Sequence, residues 1–353
     1  MKIGRTLLGL AEEIDRQARS KRDLIANTET LMFDTNGEDI SLSIPTMPNY
    51  KFSVTDIAHR QVGDRLGIPT KYYDRMRKEA PYLLTSNVNH WFETAPEDRM
   101  LRTMDGNVRA FLSNRYRRLD NYDLMEAIMP TLAEIPDMTV ESCEITDSRL
   151  YLKIVSPRTM ADLAVGDPVQ AGIVITNSEV GMGAFKVEPM IYRLVCKNGM
   201  IAADYSMQKY HVGKIVQADA DTLYNIYSDE TLAADDRAFW LKARDVVKGA
   251  LSDTIFNTVV NTMREAKGHK ILGDPQKAVV ELTNRFSLNQ DDSGGILRYL
   301  INDGDLSKLG MANAVTRYSQ DEADYDRATD LERIGGKIIV LKKDEWKVIA
   351  EAA

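Results

Sequence analysis

The sequence predicts an α+β fold: a central antiparallel sheet domain flanked by helical N- and C-terminal regions. Two observations carry this expectation. Runs alternating with a period of two follow one another in series between residues 101 and 220, instead of alternating with helices. On either side, apolar residues recur at helical spacing. The expected division is a helical or mixed region over 1–100, an antiparallel β-rich core over 101–220, and a mainly helical region over 221–353. That last region ends in a short strand and a helix. A chain of 353 residues is long enough for two or three such parts.

The elements follow in order. Leu7, Leu8, Leu10, Ala11, Ile14, Ala18 and Ile25 predict a surface helix within 3–28. Asn36-Gly37 predicts a tight turn between Thr30–Phe33 and Ile40–Ile44, and Pro45 and Pro48 then break the chain. Thr55 or Asp56 can cap a helix carrying Ala58, Val62 and Leu66. Gly67-Ile68-Pro69 ends it, and Thr70 opens a second helix with Tyr72, Tyr73 and Met76. Two short helices about this turn have the form of a helix-turn-helix, which would set Lys71, Tyr72, Arg75 and Arg77 against DNA. An ordinary helical hairpin has the same pattern. Pro81 and the run 87–92 complete the helical first region.

Residues 106–119 alternate as a strand, with Val108, Ala110 and Leu112 inward and Arg109, Phe111 and Ser113 outward. Asp120-Asn121 caps a helix over 122–134, with a stripe of Leu124, Met125, Ile128 and Leu132. Strands follow at 138–146 and 149–155, then a loop over 156–168. In 172–200 an apolar run meets the polar turn Asn177-Ser178-Glu179 and the glycines Gly181 and Gly183, and a second alternating run ends at Lys197-Asn198-Gly199. This predicts two long antiparallel strands joined by a glycine hinge. A last strand is expected near 211–216, so that 106–220 forms one sheet with the helix 122–134 packed on it. Phe239, Ala243, Val246, Ala250, Ile255, Val259 and Met263 predict one long helix over 231–267. Shorter helices follow, and Gly335-Gly336 precedes a short strand, Lys337–Leu341, and a final helix from Asp344. No internal repeat or low-complexity tract is visible.

The composition is that of an ordinary folded chain, with 44% hydrophobic and 28% charged residues. A net charge of −8 argues against a general nucleic-acid sponge. The charge is nevertheless uneven. Arg99, Arg102, Arg109, Arg115, Arg117 and Arg118 stand against the single acid Asp105, whereas 321–332 is strongly acidic. Two cysteines, Cys143 and Cys196, and four scattered histidines have no metal-ligand spacing. Asp219, Asp221, Asp229 and Glu230 match no ion-binding loop. No phosphate loop and no Gly-x-Ser-x-Gly elbow is present, so no catalytic residue, metal or cofactor is nominated.

The best candidate for chemistry is the basic strand and turn. Arg109, Arg115, Arg117 and Arg118 surround Phe111 and Tyr116 and offer charge for phosphates and a flat face for bases, as a single strand of nucleic acid requires. A positive edge strand guarded against aggregation has the same composition. Secondary candidates are Lys71, Tyr72 and Arg75 on the second short helix. Asn177, Gly181, Gly183, Lys186 and Lys197 join them around the glycine hairpin, where backbone amides can approach an anionic or flat ligand.

Five segments together carry a family resemblance: RQVGDRLGIPTKYYDRM (60–76), NVNHWF (87–92), RAFLSNRYRRLDN (109–121), ITNSEVGMGAFKVEPMIYRLVCKNGM (175–200) and NAVTRYSQDEADYDRATDLERIGGKII (313–339). Over essentially its whole length the chain resembles the phage- and plasmid-like family known as domain of unknown function nine-three-two. The resemblance implies a home on prophages, plasmids or integrative elements and supplies no catalytic residues. The order of strand, Arg-Tyr turn, helix and hairpins in 106–200 is also similar to single-strand annealing proteins of the Rad-fifty-two-like class. These resemblances imply a nucleic-acid-binding accessory protein of a mobile element, acting in recombination or replication. Its expected partners are DNA, single-stranded above all, and further copies of the chain. The alternatives are a protein-binding host-takeover or counter-defence factor, and an enzyme acting on nucleotides. The sequence has no run of about 18 apolar residues and no signal-peptide core, so no membrane partner is expected and the expected place is the cytoplasm of a bacterium or phage-infected cell.

Overall fold

The computed structural model describes residues 1–202 and 229–352, apart from 38, 48 and 117. The expected strand at 211–216, the acids Asp219 and Asp221, and Arg117 lie outside the described residues. Among the described residues there are two sheets and twelve α-helices, so the fold is α+β with helical flanks. None of these helices is long and apolar enough to cross a membrane.

The chain forms two compact units. The smaller comprises Ala11–Tyr122 together with Ser178–Ala184, and the larger comprises Met1–Leu10, Asp123–Asn177 and Phe185–Ala353. The helix α1 (Leu7–Ser20) stops five residues before Ile25 could join its apolar stripe, because β1 (Arg22–Asn27) begins almost at once. The smaller unit continues through β2 (Met32–Asn36), β3 (Asp39–Ser43), β4 (Lys51–Val54), α2 (Asp56–Arg65), α3 (Thr70–Glu79), α4 (Pro81–Thr94), β5 (Asp98–Met104) and β6 (Asn107–Ser113). Its six strands run in the order β1-β5-β6-β4-β3-β2. All neighbours are antiparallel except β4 and β6, which run parallel. Phe33, Leu42, Val62, Tyr73, Leu84, Phe92, Leu101 and Phe111 form its core. Burying a side chain of this size contributes roughly 1.5–3 kcal/mol.

The larger unit contains most of α5 (Asn121–Ala133), then β7 (Thr139–Ile145), β8 (Leu150–Asp162), β9 (Pro168–Asn177), β10 (Lys186–Arg193) and β11 (Asn198–Ile201). These strands form a second sheet, antiparallel throughout, in the order β11-β10-β9-β8-β7. The expectation of one sheet over 106–220 is therefore corrected. The strand β6 pairs with β5 and β4, and only β7–β11 form the hairpin series. The alternating pattern identifies strands, but it does not say which strands share a ladder.

Helices α6 (Asp229–Ala250), α7 (Asp253–Gly268), α8 (Pro275–Arg285), α9 (Gln290–Asp303), α10 (Lys308–Tyr318), α11 (Tyr325–Ile339) and α12 (Lys343–Ala350) complete the larger unit. The long helix expected over 231–267 is two helices, broken at Leu251-Ser252, with Ser252 in extended backbone as the cap of α7. Lys337–Leu341 is not a strand: through Ile339 it is the last turn of α11. The Gly335-Gly336 pair marks close packing instead of a turn. A Cβ on Gly336 would lie 1.9 Å from the Ile201 carbonyl oxygen, and one on Gly335 would lie 2.3 Å from Thr316 Cγ2. Both cysteines are free thiols, and burial raises the pKa of Cys143 to about 11.

A supersecondary unit recurs although no repeat shows in the sequence. At the end of α2, the amides of Leu66, Gly67 and Ile68 donate to the carbonyls of Val62, Asp64 and Gly63. At the end of α8, those of Phe286, Ser287 and Leu288 donate to Leu282, Asn284 and Thr283. Gly67 and Ser287 both lie in the left-handed region, at φ +67° and +53°. Each is followed at once by a second helix, α3 or α9, so the same helix-turn-helix occurs once in each unit.

In the first copy His59 is buried in α2, with Nδ1 2.9 Å from the Tyr73 hydroxyl and its ring edge-on to Phe33. Burial lowers its pKa to about 3, and the charge of Arg77 acts in the same direction. In the unfolded chain an ordinary histidine titrates near 6.5. Between the two values the unfolded state binds the extra proton, so stability is complete above about pH 6.5 and falls as the pH drops toward 3. The slope is at most about 1.4 kcal/mol per pH unit, which gives about 2 kcal/mol of loss at pH 5. Urea unfolding at pH 7 and pH 5 measures this loss. His59→Phe should remove most of it, and an undiminished loss would place the acid-sensitive group elsewhere.

Candidate functional site

The residues 98–122 and 178–184 of the smaller unit contain the leading basic candidates. The strands β5 and β6 form a hairpin whose turn, Asp105-Gly106, lies at positive φ. The register shifts within the hairpin: Arg102 pairs with Ala110, but Thr103 pairs with Val108. Arg109 is thus the extra residue of a β-bulge, a device that re-aims side chains. The bulge also explains a correction. Phe111, expected to face outward, is buried against Phe92 in a stacked pair at 5.7 Å, with the Arg99 guanidinium 4.9 Å from its ring centre.

Arg102 is completely buried. It donates to Asp23 at 2.9 and 3.1 Å, to Asp120 at 2.5 Å, and to the Glu179 carbonyl at 2.9 Å. Burial disfavours its charge, but the flanking carboxylates, Asp120 foremost, outweigh burial and raise its pKa. Glu179 is 4% exposed. Its carboxylate accepts hydrogen bonds from Arg109, from Lys21 at 3.0 Å and from the Asn121 amide at 2.6 Å. Lys21 also reaches Asp120 at 2.9 Å. Burial alone would push the carboxyl groups of Glu179 and Asp120 up. The cations around them prevail and hold both below the usual carboxylate range. Lys21, Arg102 and Arg109 are therefore matched by Asp23, Asp120 and Glu179 in one buried network.

This network fastens the glycine loop 178–184. The Tyr116 hydroxyl donates to the Ser178 carbonyl at 2.9 Å, and Gln61 donates to the Val180 carbonyl at 2.7 Å. With Arg102 on the Glu179 carbonyl, three successive carbonyls are engaged by side-chain donors. Val180 packs with Met100, Ala110 and Leu112. Gly181 has φ +74°, and a Cβ there would meet Leu112 Cδ2 at 2.7 Å. The loop is thus held through its acceptors, the opposite polarity to a cradle of amides around an anion.

The structure separates the expected candidates. Arg109, Tyr116, Arg118 and Gly181 gather around this loop. Arg109 is turned inward onto Glu179, and burial raises the Tyr116 pKa. Arg115 and Arg118 are exposed, Arg118 lying 3.7 Å from Asp23. Gly183 is exposed in the same loop. Lys71, Tyr72 and Arg75 form a separate exposed set on α3. Asn177, Lys186 and Lys197 belong to the larger unit, Asn177 buried at the end of β9, Lys186 exposed at the start of β10 and Lys197 exposed in the turn between β10 and β11. Sequence reasoning missed Lys21, Asp23 and Asp120 as members of a site. Their partners lie tens of residues away, and the one local signal was an acid, Glu179, between an apolar run and two glycines.

No curated protein and no solved structure matches the chain. The model of the domain of unknown function DUF932 matches residues 109–337, from the bulge in β6 to the last turn of α11. That is well over half of the sequence, and the chain belongs to this family.

Proposed function

We propose that the protein is a nucleic-acid-binding accessory factor of a phage or other mobile element, taking single-stranded DNA along the turn after β6. The carrying observation is how charge is divided there. The acids Asp23, Asp120 and Glu179 hold the inner cations Lys21, Arg102 and Arg109, and the side chains of Arg115 and Arg118 lie exposed beside them, Arg118 3.7 Å from Asp23. Exposed guanidiniums beside a tyrosine suit phosphates and bases. Tyr116 is half-buried and pinned by its hydroxyl, so the exposed part of its ring is what a base can meet.

Titration of a labelled single-stranded oligonucleotide across a salt series tests this. Arg115→Ala and Arg118→Ala should each weaken binding at every sequence and reduce the salt slope by about one unit. Tyr116→Phe, which keeps the ring, should bind nearly as the parent does. A titration that shows no binding, or arginine variants that bind as the parent, would remove this surface from consideration.

A further inference from the structure

We propose that α3 is a reading helix for double-stranded DNA, mounted by the first helix-turn-helix and distinct from the single-strand surface. Its mounting is rigid. Gly63 on α2 lets the Tyr73 ring approach so closely that a Cβ would lie 2.9 Å from it. Tyr73 and Met76 are buried, Tyr73 is fixed by His59, and the left-handed Gly67 sets the turn. These contacts lock the inner side of α3 and commit the other side to solvent.

That outer side is exposed and carries three cations against two acids. Lys71, Arg75 and Lys78 stand at i, i+4 and i+7 on one face with Tyr72 beside them, and Asp74 and Glu79 are the acids in the stripe. Tyr72 is 50% exposed. The Arg75 side chain is 70% exposed, and its partner Glu79 is on the same open surface, where such a pair is weak. A single helix of this width fits the major groove of B-form DNA. There, cations reach phosphates and guanine edges, and a carboxylate can accept from cytosine.

The second copy of the motif is an internal comparison. Positions 71, 72, 75 and 78 of the first helix correspond to 291, 292, 295 and 298 of α9, which hold Asp291, Asp292, Gly295 and Arg298. The helix α9 has a capping box between Asn289 and Asp292, and its first turn is acidic, both of which stabilise a helix N-terminus. The helix α3 has neither. Its cap is Pro69 with no side-chain hydrogen bond, its first turn contains no acid, and Lys71 is set against the helix dipole. One turn geometry thus serves two different helices: on α9 Asp292 is buried and bound by Arg327, leaving Asp291 and Arg298 exposed, and only the first copy gives up local helix stability for cations.

The test uses the full chain with a labelled mixed-sequence duplex and a labelled single strand, each titrated across a salt series. Lys71→Ala/Arg75→Ala should lower duplex affinity about tenfold or more and reduce the duplex salt slope by about two units, leaving the single-strand isotherm in place. Arg115→Ala/Arg118→Ala should do the reverse, so failure of either surface is separable from failure of the other. Tyr72→Ala should narrow the affinity spread among duplexes selected from a random pool. The exposed positions of these residues predict unchanged thermal midpoints, which guards against misfolding as the cause. No duplex binding by the parent chain would overturn the proposal and leave a protein as the occupant of this face. Superimposable duplex isotherms for parent and double variant would overturn it as well, as would equal loss on both nucleic acids.

Discussion

Glu332→Ala should lower the stability of the folded chain by about 3–5 kcal/mol, read as a fall in the urea midpoint. Glu332 on α11 and Lys153 on β8 form an ion pair of 2.6 Å in which neither side chain is exposed at all. The Lys153 ammonium also lies 4.6 Å from the centre of the Tyr325 ring, and the Tyr325 hydroxyl is 2.6 Å from Ser142 Oγ. Burial lowers the Lys153 pKa, and the charge of Glu332 opposes that shift. With the carboxylate removed, the lysine must either lose its proton or remain charged without an anion. The second carboxylate oxygen of Glu332 has no hydrogen-bond partner among the described residues, so the pair is imperfectly satisfied by them. Lys153→Met combined with Glu332→Leu should therefore recover most of the loss, since apolar replacement of a buried pair is often neutral or better. A single variant within about 1 kcal/mol of the parent would mean that water reaches this pair.

Glu179→Ala should have an effect of similar size, about 3–5 kcal/mol, with a more local signature. It leaves Lys21 and Arg109 facing each other without their shared anion, and the Asn121 amide without its acceptor. The side-chain donors to the backbone carbonyls of residues 178, 179 and 180 remain, so the loop should loosen before the unit unfolds. Hydrogen exchange at residues 178–184 should rise well above that of β5 and β6. Glu179→Gln keeps the acceptor for Asn121 and should fall between parent and alanine variant. Equal protection of the loop in parent and alanine variant would show that Tyr116, Gln61, Arg102 and the packing of Val180 hold it without the carboxylate. At low pH the same network should fail in the parent. The carboxyl groups of Glu179 and Asp120 have folded pKa values below their unfolded ones. Their contribution is complete above the ordinary carboxylate range and is lost as the pH falls through the lowered values.

Local patterns were legible wherever neighbours in sequence decide the outcome. The turn at Gly67, the helix beginning near Asn121 and most of the strands β7–β10 follow from period and punctuation, but β8 runs on to Asp162, through the first half of the expected loop over 156–168. Three kinds of information were not legible. Sheet membership depends on which strand lies alongside, and β6 has the same alternation in either sheet. The role of Gly335-Gly336 depends on Ile201 and Thr316, residues far off in sequence, so the pair resembled a breaker although it is a contact surface. The buried network depends on six charges spread from Lys21 to Glu179, each ordinary in its own surroundings. Of the candidate residues, the aggregate of arginines was visible, but the bulge that turns Arg109 inward was not. The strand β5 hid for a related reason, since its alternation places a fully buried arginine where an apolar residue is expected.

Because the smaller unit takes Ser178–Ala184 from beyond α5, neither unit can be cut out as one uninterrupted piece. Trimming the gene to the family match would start the chain at Arg109, stripping β6 of β4 and β5 together. Expressing 11–122 alone would leave Lys21 and Arg109 without the acid that joins them. Dissection should instead be by complementation, with the 11–122 fragment supplied with a synthetic peptide spanning 178–184. Its uptake of that peptide would read out the strength of the clasp without any knowledge of the ligand.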